Sequence, residues 1–469
     1  YYTMLIGNLP VGGFMNVIIV GAGKVGSYLT SQLSDEGHNI LVIEKNKDVL
    51  ERLLSQNDVM GILGDGRDID VLNEANVKEC DAFIAMTYND DVNLISSMIA
   101  KKMGARSTIV RLRDPRYIKD DEFMRTTMGV DRLVNPEFSA AKEIQRTLKY
   151  TYAVNVENFL DSKVILIELE IDENSKLKNK SLMELNSEGL LGNTIIVIGE
   201  KDAQVVIPNG NHILEVGEKI YVAGPREDID KFYKRQVDSR RNIKDVLIIG
   251  GGSIALYLSR LLLKRNFKVT VLENNKERAL NFSESLPECD VINADGSDPE
   301  ILDEIRIENY DAVVSLTGID EENILISLLA KKRGIDKVIA KVNRTQLLKI
   351  TGILDVDTTV TPKKSASFFV SRLLRSKENS RGESISNLFR LSDDRVEAID
   401  FTVIENSKVT GKKLKDLNLK ANTLIVGISR ESLGGKIEVA NGESTIELGD
   451  RVMVITKQKD FKEIDDVLE

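Results

Sequence analysis

The chain repeats itself, and this constrains its fold more than any other feature of the sequence. The segment NVIIVGAGKVGSYL beginning at Asn16 returns as DVLIIGGGSIALYL beginning at Asp245, an offset of 245 minus 16, or 229. Gly64-Asp65-Gly66 returns as Ala294-Asp295-Gly296, and Thr87, Asp90 and Asn93 return as Thr317, Asp320 and Asn323, all at 230. Asn174-Ser175-Lys176 returns as Asn406-Ser407-Lys408, and Asn209-Gly210 as Asn441-Gly442, at 232. The offset drifts only from 229 to 232, so both halves follow one folding plan.

Within each half the apolar periodicity changes once. Short β-branched runs (Val17 to Val20, Ile40 to Ile43, Ala82 to Ala85, Ser107 to Val110) first alternate with helical stretches, which is the pattern of a parallel sheet covered on both faces. From about Asn158 the pattern becomes alternating, as in Val164 to Glu170, with turns at Pro208-Asn209-Gly210 and Val216-Gly217-Glu218. The predicted fold class is therefore α/β: two tandem Rossmann-like doubly wound parallel-sheet domains, each followed by a small α+β domain. The boundaries fall at 15–150, 151–236, 237–380 and 381–469, with the charged stretch Lys234 to Lys244 linking the halves. Residues 1–14 read as an appended leader, with Met15 as the natural start; they lack the charged and apolar regions of a signal peptide.

Composition narrows the function. Apolar residues at 42% and charged residues at 29% fit a folded soluble chain and exclude collagen-like and disordered classes. With a net charge of -10 and no Trp, a general nucleic-acid binder is disfavoured, and an anionic ligand must be met locally. Cys80 and Cys289 have no CxxC spacing and no nearby His, so neither a disulfide framework nor a zinc cluster is expected; a reducing cytoplasm fits. No apolar run approaches the ~18 residues of a membrane span.

The motif Gly21-x-Gly23-x-x-Gly26 follows a β-branched run and opens an amphipathic helix, with Glu44 ending the next apolar run. Gly21 permits the tight turn, Gly23 lets backbone amides approach a pyrophosphate, and Gly26 lets helix and strand pack; Lys24 and Val25 complete the cofactor-binding loop. Glu44 is placed to accept from both ribose hydroxyls and to repel a 2'-phosphate, favouring NAD, NADH or an adenosine nucleotide over NADP. The second copy reads Gly250-x-Gly252-x-x-Ala255, with Ser253 and Ile254 inside the loop and Glu273 as the acid; its alanine suggests that the copies have diverged in ligand. Asp65 and Asp295 stand where ligands bind at strand ends, or else are turn aspartates bonding their own backbone. Thr87 and Thr317 follow the fourth strand, while Asp90 or Asp91 is expected to cap the next helix. Arg111 and Lys341 could meet phosphate or line a solvated face. On the helix after Thr87, Val92, Leu94, Ile95, Met98 and Ile99 make a wide apolar band, serving either assembly or packing inside the domain.

Catalytic groups are scarce. His38 and His212 are expected to be ordinary surface residues, and there is no GxSxG, HExxH or Walker lysine loop. No catalytic residue and no metal site is predicted.

This arrangement resembles the TrkA family, the peripheral regulatory subunits of bacterial and archaeal Trk potassium uptake systems. The resemblance spans Asn16 to Glu469 and rests on VGAGKVG at Val20 to Gly26, Glu44, GDG at Gly64 to Gly66, and T-x-x-D-x-x-N from Thr87 to Asn93. It implies RCK (KTN) domains followed by TrkA C-terminal domains, binding of NAD or NADH and of ATP or ADP, and regulation without catalysis. It further implies a cytoplasmic homo-oligomer, a tetramer forming an eight-domain ring, held at the inner membrane through a TrkH-type potassium channel subunit. Departures from the pattern are Ala255 and the leader. The rival readings are an NAD-dependent oxidoreductase and an RCK-type regulator of another potassium channel or efflux system.

Overall fold

A computed structural model describes residues 15–469 except 115–116, 118–120, 151–152, 161–162, 203, 237–242, 349–355, 379–384, 393–394, 405–406, 431–435, 459–460 and 462. The leader, Asn406 of the last repeat marker and most of the linker thus lie outside the described residues.

The first sheet comprises β1 (Asn16–Val20), β2 (Asn39–Glu44), β3 (Met60–Leu63), β4 (Ala82–Ala85), β5 (Thr108–Arg111) and β6 (Arg132–Val134), in the order β3-β2-β1-β4-β5-β6. All neighbours run parallel. Helices cover both faces, which is why β1 is apolar after Asn16: Val17, Ile18, Ile19 and Val20 are all buried. The strand order reverses direction between β1 and β4, opening a crevice beyond their C-terminal ends at Gly21 and Met86.

An antiparallel sheet follows, of β7 (Ala153–Phe159), β8 (Val164–Glu170), β9 (Ile195–Lys201), β10 (Gln204–Val206) and β11 (Lys219–Pro225), ordered β10-β9-β11-β8-β7. The parallel sheet then recurs as β12 (Asp245–Ile249), β13 (Lys268–Leu272), β14 (Asp290–Ile292), β15 (Ala312–Ser315), β16 (Lys337–Lys341) and β17 (Thr358–Val360), ordered β14-β13-β12-β15-β16-β17. The last sheet contains β18 (Ile385–Leu391), β19 (Val396–Thr402), β20 (Thr423–Arg430), β21 (Lys436–Val439) and β22 (Arg451–Thr456), in the order β18-β19-β22-β20-β21. That is the order of the first antiparallel sheet read from its other edge.

The chain divides into two compact units. One holds residues up to Ala140 together with Thr361–Leu374; the other holds Ala141–Val360 and Arg375–Glu469. The changeover falls inside the two parallel-sheet segments drawn from the sequence. In the first unit, Ala366, Val370 and Leu374 form an i, i+4, i+8 ridge within the same core as Val25, Leu29 and Leu33 of the helix Lys24–Asp35. Gln32 Nε2 donates to Ser371 Oγ at 2.9 Å, and the Lys363 ammonium lies 5.3 Å from the centre of the Tyr28 ring. In the second unit, Gln145 Nε2, on the helix Pro136–Lys149, donates to the Leu261 carbonyl at 2.9 Å, on the helix Ser253–Leu263. Each glycine-loop helix is thus covered by a helix from the opposite repeat.

The second unit also explains why β8 is buried on both faces. Ile165, Ile167 and Leu169 face the small domain's own core, while Val164 and Leu166 join Val396, Ala398 and Met453 of the other small sheet. Phe159 and Phe389 meet in this layer with ring centroids 4.5 Å apart. The alternation of β8 therefore sorts its residues between two apolar layers, not between core and water.

Candidate nucleotide-binding sites

The first site is assembled at the crevice by β1, β2 and β4. Gly21 has φ +96°, and a Cβ on it would come 2.8 Å from Thr87 Cγ2, so sterics and backbone both require glycine. A Cβ on Gly26 would stand 1.9 Å from the Gly21 carbonyl oxygen, which fixes the close crossing of loop and helix. At Gly23 a Cβ would meet nothing within 4 Å; that space is open to a ligand.

How the helices begin is informative. The helices Lys47–Gln56, Ile69–Glu74, Asp90–Met103, Lys276–Ser285 and Pro299–Glu304 are each capped by an Asn or Asp side chain. The helix Asp320–Lys332 follows Ile319 and has no side-chain cap, but Asp320, Glu321 and Glu322 fill its first turn with negative charge. The helices Lys24–Asp35 and Ser253–Leu263 have only Gly23 and Gly252 at that position, without a side-chain cap and without an acid in the first turn. Their first-turn amides and partial positive charge are left for an anion.

Glu44 ties the loop to the strand beside it. Its Oε2 accepts from Ala22 N at 2.7 Å, and its Oε1 accepts from Lys45 N and Asn46 N, each at 2.9 Å. The carboxylate is half-buried, pre-oriented by backbone, and still has acceptor capacity for a ribose. In the second copy Glu273 is buried; Oε2 accepts from Gly251 N at 2.8 Å, and Oε1 accepts from Asn275 N at 2.7 Å.

The remaining predicted residues separate by role. Asp65 bonds within its own turn, accepting from Arg67 N and Nε at 3.0 Å and from Arg67 Nη2 at 2.7 Å. The Arg67 guanidinium holds its carboxyl down at about 2. Asp295 likewise accepts from Ser297 N at 2.9 Å and Ser297 Oγ at 2.8 Å, and these bonds lower its pKa. Gly66 is required by packing, since a Cβ there would come 2.4 Å from Val20 Cγ1.

Thr87 sits at the crevice, but the fastener is Asn93, to which sequence reasoning gave no role. Fully buried, Asn93 accepts on Oδ1 from Thr87 N (2.8 Å) and Thr87 Oγ1 (2.7 Å), and Nδ2 donates to the carbonyls of Thr87 (3.1 Å) and Arg111 (2.9 Å). It clamps the ends of β4 and β5 together. Asn323 repeats the clamp, with its Oδ1 accepting from Thr317 N at 2.8 Å and its Nδ2 donating to the Lys341 carbonyl at 2.9 Å. Its recurrence at the same offset was the available signal.

Neither Asp90 nor Asp91 caps the helix Asp90–Met103, contrary to expectation. Asn89 does so, accepting from Asp91 N and Val92 N, while Asp90 Oδ2 accepts from Arg113 N at 2.9 Å and Asp114 N at 3.0 Å to hold the loop after β5. An Asp one residue inside the helix points back across the crevice, where loop amides compete for it more effectively than the helix's own. Arg111 pairs with Glu137 at 2.8 Å, and Lys341 Nζ donates to the Leu316 carbonyl at 3.2 Å; both border the crevice. Of the apolar band, Leu94 and Met98 pack with Val110, Leu112 and Met124 of the same domain, whereas Ile95 and its counterpart Leu325 are exposed.

His38 is buried, not on the surface as expected, because the turn Glu36–Gly37 folds it under the start of β2. His212 is half-buried, with Nε2 2.7 Å from Glu218 Oε1. Both cysteines are buried, and burial raises the thiols to about 12 at Cys80 and about 11 at Cys289. Among the described residues no group of three His, Cys, Asp or Glu is arranged to hold a metal, and no helix is long and apolar enough to cross a membrane.

Two Rossmann-type sheets with glycine-capped loop helices and an acid at the end of the second strand, each followed by a small antiparallel domain, define a tandem dinucleotide-fold protein. The TrkA-N domain family matches residues 17–136 and 246–362, and the TrkA-C domain family matches residues 166–236 and 398–469. A Trk system potassium uptake protein TrkA homolog of Archaeoglobus fulgidus is 32% identical over 453 residues, covering 97% of this chain and all of that one. A Methanosarcina mazei homolog is 30% identical, covering 96% and 99%; TrkA of Vibrio alginolyticus is 27% identical, covering 95% and 97%. Among solved structures, the GsuK RCK domain superposes with a TM-score of 0.61 at 16% identity, covering 95% of this chain and 93% of that one. The GsuK channel bound to NAD gives 0.61 at 16% identity, covering 96% and 78%. The chain belongs to the TrkA family.

Proposed function

We propose that this chain is the nucleotide-sensing regulatory subunit of a Trk potassium uptake system, binding NAD or NADH and ATP or ADP without converting them. The observation that carries the reading is that the helices Lys24–Asp35 and Ser253–Leu263 each begin on a glycine, with neither a side-chain cap nor an acid in the first turn, beside an oriented carboxylate, Glu44 or Glu273. Pyrophosphate would lie on the first-turn amides at Gly23 and Gly252, and the adenosine ribose at the acid. Support for the potassium system comes from the names of the relatives, and support for NAD as ligand from the NAD-bound GsuK channel. The remaining predicted cofactor residues, Lys24, Val25, Asp65, Thr87, Arg111, Ser253, Ile254, Asp295, Thr317 and Lys341, line the same two crevices in this reading.

The partner is a TrkH-type membrane subunit, reached from the cytoplasmic side by a homotetramer whose parallel-sheet domains form an eight-membered ring. A nucleotide shifts the gate only by binding one ring conformation more tightly than another.

The test is calorimetric binding of NADH and ATP, followed by potassium flux through the reconstituted membrane subunit. Gly23→Asp places a carboxylate where the phosphates would sit, and should abolish first-site binding and its share of flux control. Normal regulation in a variant that binds no nucleotide, or steady oxidation of NADH with a carbonyl substrate, would overturn the proposal.

A further inference from the structure

The two pockets share a backbone but differ in the charge they present to the ribose. Asn46 Oδ1 accepts from Val49 N at 3.1 Å, and Asn275 Oδ1 accepts from Arg278 N at 2.9 Å, so residues 49 and 278 occupy the same place, five positions after the acid. In the first pocket that place holds a half-buried valine. The nearby cations are committed elsewhere: Arg67 Nη2 is 2.7 Å from Asp65, and Lys45 Nζ is 3.9 Å from it. Glu44 therefore keeps its charge facing the ribose.

In the second pocket Arg278 Nη2 donates to Glu273 Oε1 at 2.8 Å. The carboxylate side chain is 3% exposed and the arginine 60% exposed, so the buried charge is neutralised by a guanidinium that shows most of its donors to solvent. Asn274 and Ser297 replace Lys45 and Arg67, and Asp295 is satisfied by Ser297, so nothing in that turn draws Arg278 away. The loop differs too. A Cβ at Gly26 would collide with the Gly21 carbonyl, yet the second copy holds Ala255 fully buried at that position; the Ser27 Oγ bond to the Ala22 carbonyl (2.6 Å) has no counterpart at Leu256.

Resting on the nucleotide-binding reading above, we infer that the two pockets read the 2'-position of the adenosine differently. The first requires a free 2'-hydroxyl, whereas the second accepts a 2'-phosphorylated adenine dinucleotide, with Arg278 as the residue that sets the difference. An unpaired carboxylate repels a phosphate carrying about -1.5 to -2 charges at neutral pH. An arginine already parked on that carboxylate removes the repulsion and offers forked N–H donors to the phosphate oxygens.

The experiment is isothermal calorimetry of the full chain with NAD+ and, separately, NADP+, using Gly23→Asp to silence the first pocket and Gly252→Asp to silence the second. The Gly23→Asp chain should bind NADP+ within several-fold of NAD+, and the Gly252→Asp chain should prefer NAD+ by about tenfold or more. Adding Arg278→Val to Gly23→Asp should weaken NADP+ by about tenfold to a hundredfold while NAD+ binding persists, which also reports an intact fold. Val49→Arg in the Gly252→Asp chain should narrow the preference. NAD+ binding without NADP+ binding in the Gly23→Asp chain, or an NADP+/NAD+ ratio indifferent to Arg278→Val, overturns this inference alone. Failure of the wild-type chain to bind either dinucleotide overturns the underlying reading, and this inference with it.

Discussion

Replacing Gly26 by alanine would put a methyl group where the Gly21 carbonyl oxygen now sits. The separation would be 1.9 Å, and since a real Cβ does not come within 3.0 Å of such an atom, the carbonyl must withdraw by about 1.1 Å, 3.0 minus 1.9. Three bonds hold the loop against that movement: Gly21 N to the Ile43 carbonyl at 2.9 Å, Ala22 N to Glu44 at 2.7 Å, and Ser27 Oγ to the Ala22 carbonyl at 2.6 Å. Overpacking costs roughly 1–3 kcal/mol, and losing one of the bonds adds about 0.5–1.5 kcal/mol. The loop amides would then be misplaced for a pyrophosphate, and a loss of about 1.5–3 kcal/mol in binding corresponds to roughly ten- to a hundredfold in affinity. Hydrogen exchange at the amides of Gly21 to Gly26 reports the local cost without assuming that a multidomain chain unfolds in one step. Calorimetry with NAD+ in a Gly252→Asp background reports the affinity. The internal control is Ala255→Gly, which relieves no clash and should leave second-pocket affinity within a few-fold. Unchanged exchange and unchanged affinity in Gly26→Ala would refute the claim that the loop–helix contact positions the phosphate amides.

Asn93→Ala removes four hydrogen bonds made by a fully buried side chain and should destabilise the first parallel-sheet domain by about 2–4 kcal/mol, seen as an earlier thermal transition; an unshifted transition would mean that the clamp does not hold the strand ends. Lys337, buried with Nζ donating to the Ala153 carbonyl at 2.8 Å, has its amine pushed by burial from 10.5 down to about 8. Because the unfolded chain binds the proton more tightly, this lysine makes stability rise with pH from about 8 to 10.5 and contributes no slope below 8; Lys337→Met should abolish a rise of the order of 3 kcal/mol in chemical denaturation across that window. With both thiols raised and buried, neither Cys80 nor Cys289 should react with iodoacetamide at pH 8 until denaturant is added, as mass spectrometry would read.

The local rules were legible because they are short-range. Gly21, Gly23 and Gly26 lie within six residues: Gly21 answers to its positive φ, Gly26 to the Gly21 carbonyl five residues back, and Gly23 to the open space left in front of the loop amides. Asn93 was harder to interpret, although it stood inside the recognised T-x-x-D-x-x-N element. Its four bonds reach Thr87 and the end of β5, and a side-chain amide can serve as cap, clamp or solvent group until its neighbours are known. Asp90 was misassigned for the same reason. Asp90 and Asp91 are both competent caps by residue type, yet Asn89 takes the cap and Asp90 tethers the loop after β5, two dozen residues on.

By itself the sequence determined the duplication, the two parallel sheets and their glycine loops with acidic partners, because strand and helix periods and glycine sterics act over a few residues. Tertiary structure decided which helix covers which sheet. Thr361–Leu374 joins the core of the first repeat, Gln145 bonds to the second, and the two small sheets share an apolar layer. An amphipathic ridge such as Ala366, Val370 and Leu374 fits any groove of matching size, and a duplicated chain presents two nearly identical grooves. Periodicity cannot rank them; only the path of the connected chain and the fit of the whole core can.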